Sequence, residues 1–263
     1  MKPRTVADGW VDEPQVTDAG RGYYKHSYVC ERTGERREGA APPGTRSMCD
    51  VLLDDPRTAG FVGRPTRFLS HAWLYLFLNL VVALEAYVAS LPPGEPEPFF
   101  WFDCLSLDQH ANNGQGSDWW RDTFLLAIGA IGHTVMMLSP WDSPTPLRRA
   151  WCLWELYSTH KAGVPFSVCL GPDERRAFEA AILEDPDAVL NAFSQISVEK
   201  AEAGDPRDEA MIKRLVAEEV GFAALLAFAY HACHSYMLGL ITNYVFSLNR
   251  TAVRDAGFER AAR

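Results

Sequence analysis

The sequence lacks the features that define several protein classes. Its six cysteines form no CxxC pair and have no regular spacing, so a disulfide framework is not indicated and a reducing, cytoplasmic compartment is expected. Lys and Arg total 25 against 34 Asp and Glu, and this net charge of -9 has the wrong sign for nucleic-acid binding. Neither GxxxxGK[ST] nor GxGxxG occurs, which excludes the two common phosphate-binding loops.

Long apolar runs are also scarce. No apolar segment follows the basic pair near the N-terminus, so a secretory signal is not expected. Residues 74–91 contain Asn79 and Glu85, whereas residues 222–241 carry no charge and just reach the length of a membrane span. Their flanks are mixed in charge and carry no basic cluster, which favours buried or partner-facing helices over a membrane partner.

What is present is an alternation of short apolar runs and helical patterns. Residues 1–62 are rich in Gly, Pro and charge, and they predict an irregular N-terminal segment. Residues 63–183 predict one domain, and residues 184–263 predict a helical C-terminal extension. Strands are expected at 64–72, 98–107, 133–140 and 164–171, with helices at 74–91, 118–129, 148–162, 173–183 and 208–248. This order predicts an α/β fold with a parallel sheet and helices on both faces.

Polar and aromatic residues follow three of the predicted strands. In open parallel sheets the binding crevice lies beyond the carboxyl ends of the strands. The rule selects Ser70, His71 and Trp73, then residues 103–110, then residues 139–142.

A dense group of reactive side chains begins the helix at 148–162. Trp151 and Glu155 are four residues apart and Cys152 is three residues from Glu155, so all three share one helix face. A carboxylate beside an indole and a thiol is poorly solvated and is a candidate functional group. On spacing alone, a glutamate on the solvated edge of an amphipathic helix is slightly favoured.

Three motifs, FLSHAW, WFDCLSLDQH and RAWCLWEL, resemble the Toll/interleukin-1 receptor (TIR) domain family over about residues 64–180. The resemblance implies a flavodoxin-like fold. The strongest match is the WCxxEL pattern, whose glutamate cleaves NAD in enzymatic TIR domains and corresponds here to Glu155, with Trp151 and Cys152 beside it. The chain departs from the family at Ser70–Trp73, where the first motif reads SHAW.

The resemblance implies an NAD⁺ nucleosidase in immune or stress signalling. Nicotinamide would leave from the ribose while the Glu155 carboxylate stabilises the positive charge on the sugar. Water or an adenine nitrogen would then give ADP-ribose or a cyclic product. NAD⁺ is the substrate, and no further cofactor is expected. A homo-oligomer is implied, through TIR–TIR contacts and the C-terminal helices.

The remaining candidates would shape the substrate pocket, and each of them also has a simpler structural interpretation. Asp103 and Gln109 would hydrogen-bond a ribose or amide, and indoles would stack on nicotinamide or adenine. In the simpler interpretation, Asp103 and Gln109 are ordinary polar loop residues and the indoles belong to the core. His71 is either a general base or, as is more common, a hydrogen-bonded structural histidine. The substrate-binding candidates are Ser70, His71, Trp73, Trp101, Asp103, Gln109, Trp141, Trp151 and Cys152.

Two other functions remain open. A non-enzymatic TIR-like interaction module would use the same fold without Glu155 chemistry, and a deoxyribosyltransferase-like nucleoside enzyme would also use a glutamate. No metal is expected, because HACH at 231–234 has no further ligands at matched spacing.

Overall fold

The computed structural model describes residues 4–7, 10–16, 24–30, 36–38, 45–109, 117–185 and 197–231, together with residues 235 and 239. Backbone alone is described before residue 45 and at a few later positions.

The N-terminal segment contains an antiparallel sheet where the sequence predicted irregular structure. Its strands are β1 (Arg4–Ala7), β2 (Trp10–Val16), β3 (Tyr24–Cys30) and β4 (Arg36–Glu38), paired in chain order. The β2–β3 register runs from Trp10↔Cys30 to Val16↔Tyr24. The prediction was wrong because Pro and charged residues also occur within these strands: Asp12, Glu13 and Pro14 belong to β2, and β4 consists of charged residues alone.

Four parallel strands form the second sheet, as predicted. They are β5 (Arg67–Ser70), β6 (Phe100–Trp101), β7 (Thr134–Met137) and β8 (Phe166–Cys169), in the order β6-β5-β7-β8. The chain passes from β5 to one neighbour and then crosses to the other side, which is the flavodoxin-like order. The strand order therefore reverses between β5 and β7, and the expected crevice lies at their carboxyl ends.

Helices cover both faces of this sheet. Their bounds are α1 (Met48–Asp54), α2 (Phe77–Ala89), α3 (Asp103–Ser106), α4 (Ser117–Ile131), α5 (Ala150–Ala162), α6 (Pro172–Glu184), α7 (Pro206–Glu219) and α8 (222–231), with 3-10 turns at Ala59–Phe61, Thr145–Arg148 and Val198–Lys200. Side chains alternate along β5, so Phe68 joins the core beneath α4 and α5, while Leu69 joins the core beneath α2.

The second predicted strand is shorter than expected. Residues 98–107 contain the two-residue β6 and then the helical turn α3. The Ser106 hydroxyl accepts a hydrogen bond from the Phe102 backbone N–H at 3.3 Å, and the Leu107 N–H donates to the Asp103 carbonyl at 3.1 Å. These local bonds compete with further strand pairing.

The middle of helix α5 is buried on all sides, which the middle of an amphipathic helix would not be. Every residue from Cys152 to Thr159 is buried. The helix ends at Gly163, whose φ of +63° is a left-handed cap conformation. Glu155 therefore does not lie on a solvated edge, the interpretation that spacing alone favoured.

The C-terminal helices pack into the same core as α5. Ile212 and Val216 of α7 and Leu225 of α8 are almost fully buried there. The first residue of α5 also pairs with the segment that precedes α7, since the Ala150 N–H donates to the Glu202 carbonyl at 2.9 Å. The single helix predicted at 208–248 is interrupted after α7, where Gly221 has a φ of +79°.

Among the described residues, no helix combines the length and the apolar character needed to cross a bilayer.

Candidate functional site

Two groups of polar side chains lie at the carboxyl edge of the parallel sheet, one on each face. Ser70 is the last residue of β5 and lies on the α5 side, where it contacts Glu155. His71 follows it and turns toward the α2 side, where it contacts Asp103 at the start of α3 and the ring of Phe102. The alternation of side chains along an extended chain thus places two adjacent residues in two different groups.

The first group is the pair formed by Ser70 and Glu155. The Ser70 hydroxyl donates to Glu155 Oε2 at 2.5 Å, and both residues are buried, with Glu155 8% exposed. Burial raises the pKa of the Glu155 carboxyl well above its usual value. The hydrogen bond from Ser70 opposes this rise, and the nearby negative charge of Asp103 adds to it. The carboxyl is therefore held in its neutral form over a wider pH range than an exposed glutamate.

Threonine side chains fix the position of α5 against the sheet. Thr159 Oγ1 donates to the Glu155 backbone carbonyl at 2.7 Å and lies 2.8 Å from Thr134 Oγ1 on β7. Both hydroxyls are fully buried. This bridge anchors α5 to the start of β7, one helical turn after Glu155.

Cys152 connects the two groups. Its thiol donates to the His71 backbone carbonyl at 3.3 Å. Burial raises the pKa of the Cys152 thiol well above its usual value, and the charge that Glu155 carries once it ionises raises that pKa further. A thiol held protonated in this way is a packing and hydrogen-bonding group rather than a nucleophile.

The second group centres on Asp103. Its Oδ1 lies 2.8 Å from His71 Nε2, and its Oδ2 accepts a hydrogen bond from the Trp73 indole at 2.7 Å. Burial acts to raise the pKa of Asp103, but the bonds to His71, Trp73 and the Cys104 backbone N–H outweigh it and leave the pKa below its usual value. Asp103 is thus an ionised carboxylate with a side chain 17% exposed.

Gln109 supports the backbone of this group. Its side-chain amide donates to the Asp103 carbonyl at 2.8 Å and to the Leu107 carbonyl at 3.4 Å. The donors of this amide are directed to the chain itself, so its contribution here is to hold the loop after α3.

The candidate tryptophans are not all gathered around Glu155. Trp101 stacks on Phe68 at 4.8 Å between ring centroids and belongs to the core beneath α4 and α5. The Trp151 indole donates to Asp208 of α7 at 3.3 Å, and the Trp141 ring packs on Phe178 of α6 at 5.3 Å. Of these four tryptophans, Trp73 is the one that contacts the polar groups at the sheet edge. It is 59% exposed, and its indole donates to Asp103.

Basic residues give little support to a phosphate-binding mouth. Arg67 begins β5, at the opposite end of the strand from Ser70, and pairs there with Glu95. Arg149 immediately precedes α5, close enough for its charge to lower the pKa of Cys152 against the effect of burial.

Some sequence candidates lie outside the described residues. They are His110, and Cys233 and His234 of the HACH motif.

Sequence reasoning included Cys104 within residues 103–110 at the end of the second strand but assigned it no role in the site. Its thiol lies 4.0 Å from His71 Nε2, and its backbone N–H donates to Asp103 Oδ1 at 2.7 Å. The available signal was its position beside Asp103 in the WFDC motif.

No family model, curated protein or solved structure matches this chain. The resemblance to TIR domains stands on the three sequence motifs described above.

Proposed function

We propose that this protein cleaves the N-glycosidic bond between nicotinamide and ribose in NAD⁺, with Glu155 as the catalytic carboxylate. The observation that carries the proposal is the buried Glu155 carboxyl, bonded to Ser70 at 2.5 Å beside the point where the strand order reverses. The WCxxEL motif that contains Glu155 supports the choice of substrate.

The reaction needs an ionised Glu155, whereas burial favours the neutral carboxyl. The positive charge of the substrate resolves this difference. The nicotinamide ring of NAD⁺ is a cation, and a cation beside Glu155 favours the ionised carboxyl. The bond between the anomeric carbon and the ring nitrogen then breaks, and its electron pair goes to nicotinamide. The carboxylate stabilises the ribosyl cation until water or an adenine nitrogen attacks it.

The group centred on Asp103, at the carboxyl edge of the sheet, would position the substrate. Asp103 is ionised and partly exposed, so it can accept hydrogen bonds from ribose hydroxyls, and the exposed Trp73 ring offers a face for nicotinamide or adenine. We place this activity in the cytoplasm, in immune or stress signalling, and in a homo-oligomer. Exposed apolar side chains after β5 support self-association, with Leu76 72% and Leu78 74% exposed.

Nicotinamide release tests the proposal directly. The purified chain is incubated with NAD⁺, NADP⁺ and free nucleosides, with and without a crowding agent, beside Glu155→Gln and the control Glu184→Gln, which changes an exposed glutamate at the end of α6. We expect release from NAD⁺ by wild type and by the control, and a loss of about 10²-fold or more in Glu155→Gln. No release by wild type under crowded conditions would exclude the reaction, and release from nucleosides alone would indicate a nucleoside enzyme.

Ser70→Ala tests whether Glu155 acts in its ionised form. The Ser70 bond lowers the pKa of Glu155, so its removal raises that pKa further. The rise of kcat/KM with pH should therefore move to higher pH in Ser70→Ala. An unchanged profile would show that another group controls this limb.

The exposed apolar surface after β5 also favours a second candidate, a non-enzymatic interaction module. In that case Glu155→Gln would leave assembly intact, and neither wild type nor any variant would release nicotinamide.

A further inference from the structure

The side chains of His71, Asp103 and Cys104 offer a nitrogen, an oxygen and a sulfur atom to one point. These three ligand atoms all lie within 4.8 Å of one another. His71 Nε2 is 2.8 Å from Asp103 Oδ1 and 4.0 Å from Cys104 Sγ. The cluster combines residues from the end of β5 and the start of α3, which the sheet pairing of β5 and β6 holds together.

The spacing is close to that of a tetrahedral metal site. With bonds of about 2.1 Å to nitrogen and oxygen and about 2.3 Å to sulfur, such a site places its nitrogen about 3.4 Å from oxygen and about 3.6 Å from sulfur. The observed distances of 2.8 and 4.0 Å differ from these values by about half an ångström in opposite directions. Small side-chain rotations would bring all three atoms around one ion.

The donor set selects the class of ion. Imidazole and thiolate ligands suit zinc and similar borderline or soft divalent ions, whereas magnesium and calcium prefer oxygen ligands alone. Three protein ligands leave a fourth position, which in zinc sites is taken by water or a substrate group.

The surroundings also fit a metal site. The Trp73 indole N–H holds Asp103 Oδ2 at 2.7 Å and leaves Oδ1 directed at the cluster, which is the role of an outer partner in metal sites. The His71 side chain is 5% exposed and that of Asp103 17% exposed, so the cluster is enclosed yet open to solvent at one side.

We propose that His71 Nε2, Asp103 Oδ1 and Cys104 Sγ bind one divalent transition-metal ion of the zinc class. The ion replaces the hydrogen bond between His71 and Asp103, and the thiol and imidazole bind it without their protons. This inference does not depend on NAD⁺ cleavage, because the three ligand atoms belong to His71, Asp103 and Cys104, and neither Ser70 nor Glu155 takes part.

Cobalt binding tests the site in the full chain. Metal-free protein is titrated with Co²⁺, followed by its visible absorption and its near-ultraviolet thiolate-to-cobalt band, and then with Zn²⁺ as competitor. We expect one equivalent per chain, displacement by Zn²⁺, and loss of the thiolate band in Cys104→Ser. The control Cys49→Ser changes another half-buried free thiol and should keep the band. Trp73→Phe, which removes the outer hydrogen bond, should weaken binding by about tenfold or more.

Two further measurements keep the outcome clear. His231→Ala removes a histidine of the HACH motif, and an equal loss of binding in this variant would overturn the assignment to the sheet edge. In unmodified wild-type protein, Zn²⁺ should protect Cys104 from alkylation while Cys49 reacts as before, which removes any dependence on the folding of Cys104→Ser. Absence of a one-equivalent thiolate band in wild type would refute the proposal, whatever the result of the nicotinamide assay.

Discussion

Replacement of Glu155 by glutamine should change how the stability of the protein depends on pH. The pKa of Glu155 is raised by burial in the folded chain, while in the unfolded chain it takes its ordinary value of 4.5. Between these two pKa values the unfolded chain has lost the proton and the folded chain keeps it. Wild-type stability therefore falls as pH rises through this interval and levels off above the folded pKa. Glutamine has no proton to lose, so Glu155→Gln lacks this slope.

The size of the effect follows from the number of protons involved. One proton retained on folding gives a slope of up to about 1.4 kcal/mol for each pH unit. For a chain of this size, that corresponds to about 3–5 °C in Tm for each unit. Glutamine can still accept the Ser70 hydrogen bond, and its buried N–H₂ group adds a penalty of about 1–3 kcal/mol that does not vary with pH. The diagnostic quantity is thus the difference in slope between the two proteins, and not their offset.

Urea unfolding followed by tryptophan fluorescence at successive pH values measures this slope. Titration of other groups cancels when wild type and Glu155→Gln are compared at the same pH. Glu184→Gln, at an exposed position, should run parallel to wild type. Parallel curves for wild type and Glu155→Gln above pH 4.5 would mean that Glu155 is already ionised in the folded protein, and the account of its burial would be wrong.

Three further predictions concern the framework of the site. Thr159→Val leaves the buried Thr134 hydroxyl without its partner and should cost about 1–3 kcal/mol in urea unfolding, while the double variant with Thr134→Val should recover most of that loss; additive losses would contradict the pairing. Gly163→Ala places a side chain at a φ of +63° and should cost about 1–2 kcal/mol, whereas the control Gly60→Ala, which has free space and an ordinary φ, should cost clearly less. Burial, followed by the charge of Arg67, lowers the pKa of His133 from 6.5 to about 4, so stability should fall as pH drops through this interval and His133→Gln should flatten that fall; an unchanged acid limb in unfolding curves would assign it to other groups.

The parallel sheet could be predicted because its signals are local. Each strand from β5 to β8 is a short apolar run, and the helices α2, α4, α5 and α6 that alternate with the strands are long enough to be recognised, including the cap of α5 at Gly163. The N-terminal sheet was missed because short strands separated by Gly and charged residues resemble irregular chain in composition.

The pairing of polar side chains at the carboxyl edge of the parallel sheet could not be predicted, because it depends on long-range contacts that sequence periodicity does not encode. Ser70 and Glu155 are 85 positions apart, and His71 and Asp103 are 32 apart. The strand-end rule selected Ser70, His71 and Asp103, and the WCxxEL motif selected Glu155, but the alternation along the end of β5 decides which pairs form. The burial of Glu155 was underestimated for a related reason, because Glu155 faces the end of β5, a contact that the pattern of α5 alone does not reveal.

The sharing of one core by α5 and the C-terminal helices has a consequence for local opening. To expose α5 from the α7 side, Ile212, Val216 and Leu225 must all return to water, at about 1.5–3 kcal/mol each. The Glu219 carboxylate must also release Lys161, which it holds at 2.6 Å, and the hydroxyl of Tyr157. Amide protons in the middle of α5 should therefore exchange with solvent only when the whole core unfolds. The buried environment of Glu155 should therefore persist until the whole core unfolds.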